Sequence, residues 1–382
     1  MPLARAGCAV SLAAAVMLVA PGLLDAQLIG AGARYQTYVF DEPAIAGAES
    51  VSLLATPVGV NLDLHERFSL SIGTAFAKGI VTGPNGVEST LSGITDTEVG
   101  FTVRPGPSWL LVSGNATIPT GAATLTTAES YVAAYVAAQL LPFAIGTWGT
   151  GGSAGGSVSV ARQLGAWGVG FSAGYRLAQA YEPIPDLSFQ YRPGNAMQFR
   201  IALDRNVSSS GTLSVLAGFQ AFAEDEGAGT NLFQSGSRLQ GVVSYAFALG
   251  RRNSGLVYAG LNHRSAGFAL PADLPFGGIV DSPSQQLFMG GTNLRLAIGR
   301  ASAVLPRAEL MVYRTADGKS QGWVGTFGPE VELRVAGNSS SSQFIIAPSG
   351  LARVGNVIVE EGAESSFLGW EAGLTFRLVP GR

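Results

Sequence analysis

The sequence contains two histidines, His65 and His263, and histidine is the side chain best suited to general acid–base catalysis. Ser265 follows His263 by two positions, and a histidine base close to a serine nucleophile is the arrangement that ester hydrolases use. No third group that could orient His263 is identifiable, so we favour a structural role for it as a polar residue at the edge of the fold. A lipid or ester hydrolase remains an alternative, although we expect the chain not to be an enzyme.

Other kinds of chemistry lack the residues that they require. Cys8 is the only cysteine and lies near the N-terminus, so disulfides, thiolate metal sites and cysteine nucleophiles are not expected in the rest of the chain. No metal-ligand spacing and no glycine-rich loop in a strand-to-helix context occurs, so we expect neither a metal nor a cofactor. The formal net charge is -3 without a basic stripe, which argues against a nucleic-acid partner.

Charged residues make up only 13% of the chain, and their spacing is informative. The segment SFLGWEAGLTFRLV, residues 366–379, carries Glu371 and Arg377 among large apolar residues. In an extended strand, side chains alternate between two faces, and both charges fall on the face opposite Trp370 and Phe376. A helix would scatter the same residues around its circumference without an apolar stripe. The segment is therefore predicted to be a strand with one apolar and one charged face.

The same alternation recurs from end to end, for example in FSLSIGTAF (68–76) and AMQFRIALDR (196–205). Short polar breaks such as LHER (64–67) alternate along the chain with longer connections. Short turns at one end and long loops at the other are typical of outer-membrane barrels, whose turns lie in the periplasm. The pattern predicts an all-β fold, a transmembrane antiparallel up-and-down β-barrel of about 14–16 strands.

A soluble β-sandwich would also show alternating strands, but it usually carries lysine and glutamate on a face that meets water. Lysine occurs only at Lys78 and Lys319, both near predicted loops, and the mean hydropathy of +0.29 is high for a soluble protein. We therefore favour a membrane barrel and predict that the protein resides in the cell outer membrane.

In such a barrel the charged strand faces are expected to line the lumen, because an arginine facing lipid at the membrane centre costs about 2–4 kcal/mol. These residues could select solutes, or they could form ion pairs across the wall with no role in selection, which we favour for any single one of them. The predicted lumen-facing residues are Glu98, Arg104, Arg200, Asp204, Arg295, Arg307, Glu309, Glu330, Glu332, Arg334, Glu371 and Arg377.

The N-terminal segment has the features of a secretory signal. Arg5 precedes an apolar stretch, and Ala26 could be the residue before cleavage. We predict that residues 1–26 are a cleaved signal peptide and that residues 27–382 form a single barrel domain.

The longest predicted external loop, residues 119–153, contains an apolar stretch that is interrupted by Pro142. Thr126 and Glu129 fit a capping box ahead of a short helix near 127–141. We expect this helix to pack at the barrel mouth or to fold into the lumen. The candidate gate residues in the loop are Tyr131, Tyr135, Leu140, Leu141 and Phe143.

Two stretches carry a family resemblance, ITDTEVGFTVRPGPSWLLVSGNATIPTG (94–121) and GTGGSAGGSVSVARQLGAWGVGFSAGYRL (149–177). They show a proline-glycine turn, a strand that ends in Pro-Thr-Gly, and a hairpin that ends in Gly-Tyr-Arg. In these features the chain resembles the outer-membrane barrels of the meta-pathway of phenol degradation, which are distantly similar to long-chain fatty-acid transporter barrels. Two features depart from that family: little sequence separates Gln27 from the first predicted strand, so we expect no N-terminal plug of the fatty-acid transporter kind, and the last residues are LVPGR instead of an aromatic residue. The resemblance implies passage of small hydrophobic or aromatic compounds.

We therefore expect an outer-membrane channel or facilitator for the passive passage of small solutes. A structural or surface-interaction barrel without transport is the first alternative, and the hydrolase is the second. The expected partners are outer-membrane lipid, a small-molecule solute, and the barrel-assembly machinery, which would contact the C-terminal strand.

Overall fold

The computed structural model describes residues 27–43, 47–138, 141–183, 189–269, 283–337, 342–360 and 363–379. The predicted signal peptide lies outside these residues. Within them the chain forms 21 β-strands and one α-helix, α1 (Thr127–Ala137), with a short 3-10 helix at Pro84–Gly86. The strands are β1 (Gln27–Phe40), β2 (Ser50–His65), β3 (Phe68–Thr82), β4 (Glu88–Ile94), β5 (Thr97–Val103), β6 (Leu110–Ile118), β7 (Ser153–Leu164), β8 (Trp167–Ala178), β9 (Tyr191–Arg192), β10 (Ala196–Ser208), β11 (Gly211–Phe222), β12 (Glu224–Gly227), β13 (Thr230–Gln234), β14 (Arg238–Leu249), β15 (Asn253–Arg264), β16 (Phe268–Ala269), β17 (Gln285–Ile298), β18 (Ser302–Thr315), β19 (Ser320–Ala336), β20 (Gln343–Glu360) and β21 (Ala363–Val379).

Seventeen of these strands form one closed antiparallel sheet. The sheet closes because β1 pairs with β2 on one edge and with β21 on the other, where Gln36 lies opposite Glu371. β4 and β5 pair with successive parts of β3 and therefore occupy one position in the wall. The 17 strands thus form 16 positions around the barrel. The predicted antiparallel up-and-down barrel is confirmed, and the described residues give a strand number within the predicted range.

The two ends of the barrel differ in the length of their connections. At one end the turns are short, as between β7 and β8, β14 and β15, and β17 and β18. Gly165, Gly250 and Gly299 occupy these three turns with φ of 61°, 74° and 66°, a backbone region that glycine adopts without a steric cost. The other end carries the long connections, and by the rule for outer-membrane barrels it is the external end.

The wall has an apolar outer side, as the alternation predicts. Trp370 is 48% exposed, whereas its neighbour Glu371 is only 4% exposed, so the two side chains of β21 meet different surroundings. Large apolar residues on other strands are exposed on the same outer side, among them Phe171 and Phe327. Burying this belt in a hydrocarbon layer is favourable. Among the described residues, no helix is long and apolar enough to cross a membrane.

Three of the predicted long loops pair with one another outside the barrel. β9, β12, β13 and β16 form a separate four-stranded sheet there. Asp225 organises it, accepting hydrogen bonds from the Tyr191 hydroxyl and from the backbone N–H of Gly194 at 2.6 Å. Burial, together with the hydrogen bond to Asp225, raises the pKa of Tyr191 above its ordinary value. This sheet was not predictable from the sequence, since strands of two to five residues are too short to show an alternating pattern.

Candidate channel lumen and its closing loop

The connection between β6 and β7, residues 119–152, is here called the closing loop. It contains α1, which begins where the capping box predicts: the Thr126 hydroxyl accepts from the N–H of Glu129 at 3.4 Å, and the Glu129 carboxylate accepts from the N–H of Thr126 at 2.9 Å. The helix ends at Ala137, four residues earlier than predicted. If it continued, the ring of Pro142 would clash with the carbonyl of Ala138.

The closing loop folds into the barrel and packs on the inner wall. Val132 and Val136 of α1 are buried, as is Trp148, whose indole N–H donates to the Ala77 carbonyl of β3 at 3.2 Å. The contact is close enough that a Cβ at Gly79 would lie 2.8 Å from a methyl of Val132 and 2.9 Å from the Trp148 ring. The glycine of β3 therefore makes room for the loop.

The wall residues that meet the closing loop are apolar and form one continuous core with it. They come from β18 to β21 and from β1 to β4, which are neighbours around the closed sheet. The wall members are Tyr38, Phe40, Val51, Leu53, Ala55, Ala77, Val81, Leu91, Met311, Tyr313, Val324, Val357 and Phe367. One side of the lumen at the external end is thus apolar and covered.

Asp96 anchors both ends of the closing loop. It lies between β4 and β5, where the strand is interrupted, and its carboxylate accepts from the N–H of Gly121 at 3.0 Å and of Thr150 at 2.9 Å. Its own N–H donates to the Trp148 carbonyl at 2.8 Å. The break in the wall and the base of the loop are therefore one structural unit.

A buried polar group holds the middle of the loop. The Gln36 side chain donates to the Pro142 carbonyl at 3.0 Å and accepts from the N–H of Ala144 at 2.6 Å. It also donates at 3.0 Å to Glu371, whose carboxylate pairs with Arg353 at 2.6 Å. These contacts tie the loop to β1, β20 and β21 below its apolar core.

The predicted gate residues lie in or next to this core. Leu141 is buried, and Tyr131, Tyr135 and Phe143 are partly buried against the core. The ring of Phe143 meets Tyr38 of the wall edge to face at 5.0 Å between centroids. Leu140 lies outside the described residues.

The ladder register places eleven of the twelve predicted lumen residues on the inner side of the wall. Residues directly opposite in a ladder share a side. From the buried Arg353, the register leads through Thr326 to Glu309 and, strand by strand, to Asp204. Arg104 is the exception, because it lies in the turn after β5 and donates to the Glu66 carbonyl at 3.1 Å.

At the periplasmic end, charges pair across the inner wall. Arg377 of β21 contacts Glu330 at 2.8 Å and Glu332 at 3.4 Å, and Arg295 of β17 contacts Glu332 at 3.2 Å. Arg295, Arg307 and Glu330 also line a cavity of about 960 Å³, together with serine and asparagine residues and with apolar residues that include Leu256 and Leu305. The periplasmic half of the lumen is therefore open and carries charged, polar and apolar groups, in contrast to the covered external half.

A polar band on the inner side of β8 to β15 was not predicted from the sequence. Arg238 lies directly opposite Arg264 in the ladder, and Arg176 lies on the same side of β8. The amide residues of the band are Gln198, Gln220, Gln240 and Asn262. Each strand contributes only one or two of these groups, so no single segment draws attention to them. They nevertheless follow the same alternation along their strands as the predicted lumen-facing residues, and that alternation is visible in the sequence.

The geometry does not assemble the hydrolase site considered above. His263 lies on the outer side of β15, opposite Leu239, while the Ser265 hydroxyl lies 3.2 Å from that of Ser237. The Nδ1 of His263 is buried without a hydrogen-bond partner among the described residues. Across the residues that the structure describes, no group of three or more histidine, cysteine, aspartate or glutamate residues could hold a metal ion.

Comparisons with known proteins found similarity to solved structures. No family model matches the chain, and no curated protein does. A Pseudomonas aeruginosa FadL homologue is 7% identical with a TM-score of 0.47, and 93% of this chain covers 90% of that one. The CymD monoaromatic hydrocarbon channel is 11% identical with a TM-score of 0.45, over 96% of this chain and 92% of that one. The P. putida toluene transporter TodX is 10% identical with a TM-score of 0.40, over 94% and 91%. The chain is thus distantly similar to outer-membrane barrels of this kind, at values too low to carry a functional conclusion.

Proposed function

We propose that the protein is an outer-membrane channel for the passive passage of small hydrophobic or aromatic solutes. One observation carries the proposal: an apolar loop is packed inside the external end of a 16-position barrel, above an open cavity that is lined by charged, polar and apolar residues. Barrels with about 16 strands leave a lumen too wide for wall side chains alone to fill. The closing loop then serves as the gate of a lumen that would otherwise be open.

The two halves of the lumen suit different steps of passage. An uncharged solute entering from outside meets the apolar core around Val132, Leu141 and Phe143, where burial of apolar surface favours its binding. Below that core the solute reaches the open cavity, where Leu256 and Leu305 lie among charged and polar residues and therefore hold it less tightly than the apolar core does. Favourable entry followed by weak retention is what conduction requires.

In this proposal, the predicted lumen-facing charged residues line the water-filled half of the lumen. Their pairing across β17, β19 and β21 supports the interpretation that most of them shape and hydrate the lumen. We also propose that outer-membrane lipid surrounds the belt that includes Phe171 and Trp370, and that barrel-assembly machinery acts on β21, which closes the sheet onto β1.

A reversible crosslink between the gate and the wall tests the proposal. Gly79→Cys and Val132→Cys would place two sulfurs within disulfide reach, because the Cβ position at Gly79 is 2.8 Å from a Val132 methyl. The only native cysteine is Cys8, which is removed by Cys8→Ser. Entry of an uncharged aromatic probe into liposomes carrying the double variant is expected to be slow under oxidation and to recover on reduction.

The two single-cysteine variants are the matched controls, and their flux should not respond to oxidation or reduction. A variant in which residues 127–145 are replaced by a short flexible link provides a second measurement, and its flux should exceed that of the unaltered protein. If neither the reduced barrel nor this shortened one admits the probe faster than protein-free liposomes, the protein is not such a channel.

A further inference from the structure

A pocket at the periplasmic mouth is lined by five arginines. It has a volume of about 300 Å³ and lies between the β14–β15 turn, the β17–β18 turn and the inner side of β19. Arg251, Arg252 and Arg300 reach it from the turns, and Arg295 and Arg334 reach it from the strands. Its volume corresponds to about ten water molecules at their share of liquid water.

The positive charge of this pocket is not balanced within it. Glu332 is the only carboxylate among the described residues that line it. One oxygen of Glu332 already accepts from Arg295, and the other accepts from Arg377. The Nε of Arg334 is buried and has no hydrogen-bond partner in the described part of the chain. Guanidinium groups are therefore gathered at one place with more hydrogen-bond donors than the wall can satisfy.

Converging guanidinium groups favour a multivalent oxyanion. Each one offers a planar fork of N–H donors that matches two oxygens of a phosphate, and the anion offsets the mutual repulsion of the cations. We propose that this pocket binds a phosphate-class anion, such as a diphosphate or the phosphate of a lipid headgroup. Arg295 also lines the cavity of about 960 Å³, so the bound anion lies where that cavity opens to the periplasm.

The site is independent of the solute that the channel carries, so it can be tested by equilibrium binding alone. Calorimetric titration of the purified barrel in phosphatidylcholine vesicles with inorganic pyrophosphate is expected to show saturable binding that weakens as salt rises. A variant with Arg251→Gln, Arg252→Gln and Arg300→Gln changes only exposed turn residues, and its dissociation constant should rise at least about tenfold.

Arg67→Gln is the matched control, because Arg67 is an exposed arginine in the β2–β3 turn and does not line the pocket. Its affinity for pyrophosphate should be unchanged. Repeating the titration in vesicles that contain phosphatidylglycerol separates the two sources: unchanged binding assigns the site to a free anion, and competition that the triple variant lacks assigns it to a lipid headgroup. No saturable pyrophosphate binding in phosphatidylcholine, or equal affinity in the wild type and the triple variant, would overturn the proposal.

Discussion

Among single residues, the buried pair of Arg353 and Glu371 supports Gln36, the side chain that holds the middle of the closing loop. Both side chains are 4% exposed, and Glu371 also receives the Gln36 amide that holds the closing loop. We expect Glu371→Gln to destabilise the barrel by about 3–5 kcal/mol, because it leaves a buried guanidinium without a counter-charge. Equilibrium unfolding in urea, in a detergent that allows refolding, measures the loss.

A double variant separates the pair from its surroundings. Arg353→Met combined with Glu371→Leu removes both charges and is expected to cost less than Glu371→Gln alone, since replacing a buried ion pair with apolar groups is often near neutral. If the double variant instead loses as much as the single one, the charge pair is not the source of the stability.

A second prediction concerns Asp96, which anchors the closing loop. Asp96→Asn replaces one of two carboxylate oxygens that accept from Gly121 and Thr150, so one of these N–H groups loses a charge-assisted bond worth about 1.5–3 kcal/mol. Hydrogen exchange at residues 121 and 150 should quicken. Asp63→Asn, at an exposed site near the periplasmic end of β2, is the control and should leave it unchanged. Equal protection in the wild type and Asp96→Asn would contradict the anchoring role.

At the scale of elements, α1 has one face that packs on the wall and one that does not. Val136 is buried, whereas Ala134 is exposed. Val136→Asp places an unpaired carboxylate in the apolar core and should release the helix, because burying such a charge is costly. Chymotrypsin should then cleave at Tyr131 or Tyr135, and Ala134→Asp on the other face should stay resistant. Resistance of both variants would show that α1 does not depend on this packing.

Some features of the strands and of α1 could be predicted from the sequence, and others could not. Alternation around Trp370 and Glu371 predicts the strands and their two sides, and the Thr126 and Glu129 pair predicts the start of α1, since both signals are local. The contacts of Glu371 with Gln36 and Arg353 were not predictable in the same way. Gln36 and Glu371 are separated by 335 positions and meet only because the barrel closes.

The break between β4 and β5 was missed for a related reason. Thr95 and Asp96 have turn-compatible side chains, but nothing local indicates that Asp96 receives the base of a loop that starts more than 20 residues later. The arginine pocket likewise combines two turns and two strands that are separate in the chain. These sites form only when the barrel closes. The local periodicity of the sequence does not show which distant segments that closure brings together.

In the whole molecule, we propose that the closing loop blocks a lumen that would otherwise be continuous. Gly121 and Thr150 bind the same Asp96 carboxylate, so the base of the loop stays in place when residues 127–145 are replaced by a short link. Single-channel conductance in planar bilayers compares this variant directly with the unaltered barrel. We expect a low, intermittent conductance for the unaltered protein and a large, steady conductance for the variant. Equal conductance of the two proteins would contradict it.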